Sequence, residues 1–377
     1  MKLLICPNPP RVSGLRAARA RLAVRLAGLA GLPARAPRPS LARLLALARS
    51  LAVVLALAPA APVHAASLQD TSRALQRASD AVLGIEVRAL ENARSSATLG
   101  TERSGSGVVI GPDGLVLTIG YLVLEAEDVV LLPDDGRRVP ARVVAYDVAT
   151  GFGLVQALAP LRIEAVPIGP IEAIAQQEPL AFVSGGPQGL VTPVRLLGRR
   201  PFSGTWEYHL EQALYTSPGR RDQSGAGLFN GRGELVGIGS LFLSQAAAVG
   251  TPRQSGNVFV PTELLVPILQ ELRARGHSAA SERAWLGVHC QETESGLRVL
   301  RVNDDSPADV AGLQVGDTIE SVDGEAVQEL ASLYRALWRK GPPEREVLLQ
   351  VMREGSRQTL KVYSVDRMKT FKRAQGV

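Results

Sequence analysis

Few residue types in this chain can do covalent or metal chemistry. There are two cysteines, Cys6 and Cys290, and four histidines, His64, His209, His277 and His289. Two thiols build neither an internal disulfide framework nor a cysteine-based zinc site. The scattered histidines argue against a His-rich metal centre, so neither metal nor cofactor is expected. Ser104-Gly-Ser-Gly107 has the composition of a phosphate cradle, but it leads into a strand instead of opening a helix, and that reading is rejected. Arg220-Arg221-Asp222 sets three charges just before Ser224-Gly225. This run is either a solvated loop or a recogniser of an acidic or C-terminal group. A serine hydroxyl becomes a nucleophile at neutral pH only with a base in hydrogen-bond reach. His209, in Trp206-Glu-Tyr-His-Leu-Glu211, reads as a surface or satisfied strand histidine, and His277 and His289 are not placed to help.

Such groups need a folded core to hold them. The chain has 377 residues, 46% hydrophobic and 21% charged, which fits a globular protein of two domains. Its formal net charge of +6 is unevenly spread. Residues 1–69 hold ten basic residues and no acid. The remainder holds 32 basic and 36 acidic residues, a net of −4, which removes the main support for nucleic-acid binding. The basic start, the apolar run Leu51–Pro59 and the small-x-small site Val63-His64-Ala65 read as a secretory leader, residues 1–65, expected to be cut after Ala65, the alternatives being an uncleaved amphipathic anchor or a basic arm. The apolar run is too short to span a bilayer. Export in a bacterium means the periplasm.

The exported part reads as a helix over 68–84, then many short strands with Gly/Pro turns. Val108–Ile110 and Leu115–Thr118 form a hairpin around Asp113-Gly114. Strands follow at 129–132, 139–146, 152–157, 180–183, 191–198, 207–211, 227–230, 234–243 and 257–260. That pattern predicts a mainly β barrel or sandwich. A helix is expected over Pro261–Arg275, capped by Thr262 and ended by Gly276. Residues 277–284 read as a small, polar linker to a second unit over 285–366, with a basic tail at 367–377.

The second unit carries Trp285-Leu286-Gly287-Val288 and Ser306-Pro-Ala-x-x-Ala-Gly-Leu-x-x-Gly-Asp-x-Ile-x-x-x-Asp-Gly324. It resembles a PDZ domain of the kind found in bacterial proteases. The resemblance implies peptide capture. Gly287 would let successive N–H groups face a carboxylate, the next strand would offer an edge, and Leu333 and Leu337 would form the apolar far wall. Cys290 reads as a core side chain. The first unit, residues 66–276, resembles the HtrA/DegP class of exported trypsin-fold serine proteases over about 75–275. The match rests on Gly105-Ser-Gly-Val-Val-Ile, on Leu228-Phe-Asn-Gly-Arg-Gly-Glu-Leu-Val-Gly237 and on Asn257-Val-Phe-Val-Pro261. The implied fold is a trypsin-like double β-barrel followed by a PDZ domain.

Carried over position by position, the resemblance puts activity in doubt. The family's Thr-Asn-Ala-His is Thr118-Ile119-Gly120-Tyr121 here, so Tyr121 stands at the base position. Its Thr-Asp-Leu-Ala is Thr150-Gly151-Phe152-Gly153, so Gly151 replaces the orienting carboxylate. Its Gly-Asn-Ser-Gly is Asp222-Gln223-Ser224-Gly225. The serine is retained, but Asp222 replaces an oxyanion-hole glycine and would repel the developing charge. Tyrosine titrates near ~10 and is a poor base at neutral pH. Loss of the base costs on the order of 10⁶ in rate in a triad protease. The expectation is a pseudoprotease that binds unfolded or C-terminal peptide segments, as a homo-oligomer or beside active relatives. The alternatives are an endopeptidase using Ser224 with an unorthodox base, and a structural subunit.

Overall fold

The computed structural model describes residues 68–372 apart from 172–173, 175–177, 249 and 340. The expected leader, residues 1–65, and its cut after Ala65 lie outside the described residues.

The opening helix, Leu68–Asp80, turns Ala74 and Ala78 inward. It stops short of the expected Gly84. Val82 and Leu83 instead begin strand β1 and pair with Val108 and Gly107, so sheet pairing overrides the helical spacing there. Strands β1 (Val82–Ala89), β2 (Glu102–Val109), β3 (Leu115–Ile119), β4 (Ala126–Leu132), β5 (Val139–Tyr146) and β6 (Phe152–Ala157) close a barrel in the order β1-β2-β3-β6-β5-β4. In β1, Ile85, Val87 and Ala89 point inward while Glu86 and Arg88 face solvent, the alternation a half-buried strand requires. The β2–β3 hairpin turns at Gly114, whose φ of 81° suits glycine.

A second barrel repeats the plan with β7 (Pro179–Val183), β8 (Val191–Gly204), β9 (Tyr208–Ser217), β10 (Gly227–Phe229), β11 (Leu235–Leu243) and β12 (Gly256–Pro261), in the order β10-β11-β12-β9-β8-β7. Phe182 and Phe259 meet edge-to-face at 5.9 Å inside it. Closure leaves neither barrel a free strand edge.

The expected continuous helix over Pro261–Arg275 is broken. Pro261 ends β12, Thr262–Leu264 form one tight turn, and the α-helix spans only Leu269–Arg275. Pro267 has no N–H to continue a helix. The Thr262 hydroxyl does not cap; it donates to the Leu235 carbonyl at 2.9 Å. Gly276 ends the helix in the left-handed region at φ 81°.

The C-terminal module has a short pair, β13 (Ala284–Trp285) with β20 (Val365–Asp366). Its main sheet comprises β14 (Val288–Thr293), β15 (Gly296–Val302), β16 (Thr318–Val322), β17 (Glu325–Ala326), β18 (Glu346–Arg353) and β19 (Ser356–Tyr363), in the order β14-β15-β16-β18-β19 with β17 on β16. Strand β14 is therefore an edge. The helix Leu330–Arg339 packs over the sheet, and Leu286, Val288, Cys290, Leu333 and Leu337 are buried in the core.

The junction is more tightly held than small polar residues suggest. Asp147 Oδ1 accepts from the Ser278 N–H (2.9 Å), the Ser278 hydroxyl (2.6 Å) and the Ser281 hydroxyl (2.6 Å). Its Oδ2 accepts from the Thr150 hydroxyl at 2.6 Å. The expected basic tail is packed as far as residue 372: Phe371 meets Tyr146 edge-to-face at 5.3 Å, and the Lys372 N–H donates to Glu125 at 3.0 Å.

Candidate functional site

Ser224 lies in the loop from β9 to β10, where the two barrels meet. Its carbonyl accepts from the Ser106 N–H on β2 at 2.8 Å. The contact needs glycine on both sides. A Cβ at Gly105 would stand 2.6 Å from the Ser224 carbonyl oxygen, and one at Gly225 only 2.0 Å from that of Ser106.

Tyr121 reaches the same point from the one-turn helix Gly120–Val123. Its Oη lies 2.8 Å from Ser224 Oγ and 2.8 Å from the Ser240 carbonyl oxygen. A carbonyl can only accept, so the single phenolic proton goes to Ser240. The Ser224 hydroxyl is left a phenol oxygen as its acceptor. Burial pushes the Tyr121 hydroxyl up to about 12, against a smaller opposing pull from Ser224. A neutral phenol with its own proton committed does not take a second one from serine at pH 7.

Gly151 adopts φ 85°, and its carbonyl accepts from the Gly120 N–H at 2.7 Å. A Cβ there would stand 2.8 Å from Tyr208 Oη. Tyr208 donates that hydroxyl to the Thr150 carbonyl at 2.6 Å and is buried. The space around position 151 is thus filled by a residue that had no role in the sequence reading. Tyr208 is visible in the run Trp206-Glu-Tyr-His, but nothing in that run says where its ring goes.

Asp222 does not point freely at the serine. Its carboxylate accepts from the Ser184 hydroxyl at 2.6 Å and from Arg220 at 2.9 and 3.0 Å. Burial raises the Asp222 carboxyl, but Arg220 and Ser184 outweigh it and hold it below the usual range. Arg220 is spent on Asp222, and Arg221 lies 4.6 Å over the Phe242 ring. This favours a self-paired loop over a recogniser of external acid. His209 bonds through Nδ1 to Ser203 Oγ at 2.8 Å. Its Nε2 faces Glu211 at 3.3 Å without hydrogen-bond geometry. Burial lowers its basicity, and its partners are on its own hairpin. Among the described residues no group of His, Cys, Asp or Glu could hold a metal ion.

In the C-terminal module, Trp285, Leu286, Gly287 and Val288 form a turn whose Gly287 has φ 84°. Three successive N–H groups converge on one carboxylate. The Glu207 oxygens accept from Leu286 (3.1 Å), Gly287 (2.7 Å) and Val288 (2.9 Å). Glu207 belongs to the β8–β9 hairpin tip of the second barrel and is buried. Burial raises its carboxyl, while Arg367 and the three amides pull the other way. Leu333 and Leu337 are core residues of the helix expected as the groove's far wall. The residue of that helix that touches the hairpin is Tyr334, which donates to the Gly204 carbonyl at 2.6 Å and accepts from the Glu207 N–H at 3.1 Å. Arg335 grips Glu211 with two bonds, 2.8 and 2.5 Å. Neither Glu207 nor Tyr334 carries a sequence signal, because each meets its partner across about 80 to 130 residues. Cys290 is buried, and burial pushes its thiol up to about 12, as a core residue's would be.

Comparison with known proteins agrees with this layout. A family model for the trypsin-like peptidase domain matches residues 105–238, and one for the PDZ domain matches residues 284–363. A probable periplasmic serine endoprotease, DegP-like, of Ectopseudomonas mendocina (strain ymp) is 29% identical over 278 residues, covering 68% of this chain and 55% of the relative. One of Brucella suis biovar 1 (strain 1330) is 28% identical over 263 residues, covering 65% and 49%. The chain spans about half the length of the curated relatives it matches. The solved structure "HtrA-type protease AlgWS227A with tripeptide" shares 21% identity at a TM-score of 0.51, covering 79% of this chain and 97% of that one.

Proposed function

We propose that this chain, which joins a trypsin-like domain to a PDZ domain, is a catalytically silent member of the HtrA/DegP-like serine proteases that captures peptide segments without cutting them. The observation that carries this reading is the Tyr121 hydroxyl at 2.8 Å from Ser224 Oγ, with its proton drawn to the Ser240 carbonyl. The position that resemblance assigns to the base holds a group that cannot accept the serine proton at neutral pH. Gly151 supplies no carboxylate to orient an imidazole, and Tyr208 fills the space beside it.

The retained Ser224 supports one rival reading, an endopeptidase with an unorthodox base. The two separate in one assay. Purified residues 66–377 are incubated with unfolded casein, and the serine is probed with a fluorophosphonate. Silence predicts neither fragments nor labelling. Hydrolysis that disappears in Ser224→Ala would overturn the proposal.

The proposed ligands are unfolded or C-terminal segments of other proteins, met in the periplasm. Relatives are named periplasmic, and among the described residues no helix is long and apolar enough to cross a membrane. The Gly287 turn and the β14 edge are the parts of the module suited to an extended peptide with a terminal carboxylate. A homo-oligomer or a complex with active relatives remains part of the proposal, tested by sizing the purified protein alone and mixed with an active relative.

A further inference from the structure

The carboxylate-binding turn of the PDZ module is already filled from within the same chain. We propose that Glu207 acts as an internal ligand: its side-chain carboxylate takes the place of a peptide's C-terminal carboxylate, so that capture requires the β8–β9 hairpin tip to leave. The proposal rests on reading the module as peptide-binding, and goes beyond it by naming what the peptide must displace.

Four observations converge. Three consecutive amides, those of Leu286, Gly287 and Val288, all donate to the two oxygens of one buried carboxylate. This is the arrangement expected of a captured chain end. The hairpin also uses the strand edge that a peptide would use: the Cys290 N–H on β14 donates to the Thr205 carbonyl at 3.3 Å. Tyr334, on the opposite wall, is saturated by the backbone at Gly204 and Glu207. Finally, Glu207 itself sits at φ 58°, a conformation uncommon for a residue with a side chain. It is the left-handed residue of the three-residue loop between β8 and β9, so the hairpin itself sets this residue at its tip.

The insertion also joins two sites. Glu207 enters the PDZ turn, and its neighbour Tyr208 fills the space beside Gly151.

The test compares residues 66–377 with the variants Glu207→Ala and Glu207→Gly, the second removing both carboxylate and backbone strain. The probes are a pool of fluorescein-labelled random decapeptides with free C-termini and the same pool amidated. Binding is read by anisotropy, and amide hydrogen exchange is followed at residues 286–290. Both variants are expected to bind the free-carboxylate pool about tenfold or more tighter than the parent, the factor removed when a state blocked ~90% of the time is opened. The amidated pool should not gain. The amides of 286–288 should lose protection in both variants, and the free-carboxylate pool should restore it. Equal affinity of parent and variants overturns the internal-ligand proposal, and so does unchanged amide protection. Loss of protection with no binding of either pool supports Glu207 as the turn's occupant and overturns the peptide-binding reading instead.

Discussion

Tyr208 stands where any side chain on residue 151 would have to go: a Cβ built on Gly151 would lie 2.8 Å from Tyr208 Oη. Gly151 and Tyr208 therefore form one packing solution. The site is filled with hydrogen-bonded aromatic rings from both sides, Tyr121 against Ser224 and Tyr208 against Gly151.

Installing at 121 and 151 the His and Asp that the family resemblance expects should consequently fail. Tyr121→His with Gly151→Asp forces a side chain onto a residue at φ 85° and against a buried ring. We expect a loss of about 1–3 kcal/mol in urea unfolding from overpacking and backbone strain. Fluorophosphonate labelling should stay at the Ser224→Ala background. Adding Tyr208→Ala opens the space, and labelling should rise there first. Equal labelling in the double and triple variants would show that Tyr208 is no obstacle.

Tyr121→Phe removes the proton from the Ser240 carbonyl and the acceptor from Ser224. One buried polar group left unpaired costs about 1–3 kcal/mol, so the urea midpoint should fall accordingly. Casein cleavage should be undetectable both before and after. If instead the parent cleaves and Tyr121→Phe does not, the tyrosine has a chemical role.

Alkali should unfold the protein through its buried phenols. Burial raises Tyr121 to about 12 and also raises Tyr146 and Tyr208. In the unfolded chain these groups ionise near ~10, while in the folded protein they stay neutral. Their contribution to stability is complete below about pH 10 and is lost as pH rises from there through the folded value. The unfolding midpoint should therefore drop above pH ~10, with a shallower slope in Tyr121→Phe. Phenolate absorbance that develops before the fold is lost would contradict this.

The Asp147 clasp should behave in the opposite sense. Burial raises its carboxyl, but Ser278, Ser281 and Thr150 outweigh burial and hold it below the usual range. Its contribution is present above the ordinary carboxylate value of ~3.9 and is lost as pH falls below it. Asp147→Ala should cost about 3 kcal/mol or more, because several buried donors lose their acceptor together. The variant should show a weaker acid dependence of its urea midpoint than the parent. Matching slopes would remove Asp147 from the account.

Much of the strand plan was readable because it is local. Strands 139–146 and 152–157 emerge at their expected bounds, and Gly114 turns the first hairpin for a reason one residue can state. The meeting of Tyr121 and Ser224, 103 positions apart, was legible only through motif resemblance. Helix limits were less readable. Val82 and Leu83 suit a helix face and a buried strand equally, and Thr262 suits a cap until Leu235 offers its carbonyl. Glu207, Tyr208 and Tyr334 were invisible as site residues. Ordinary side chains acquire their meaning from a partner domain that the local sequence does not describe.

The Asp147 clasp has a further consequence for any peptide seeking the Gly287 turn. It holds the start of the second module against the first barrel, so the tip bearing Glu207 competes as a tethered ligand. Short tethers give effective concentrations on the order of millimolar. Against such a resident, a dilute single chain end is a weak rival. A client with many exposed termini, or one gripped at a second place, outcompetes it. The module would then fill at a higher peptide concentration than an open one, largely empty of stray peptides and occupied as unfolded protein accumulates.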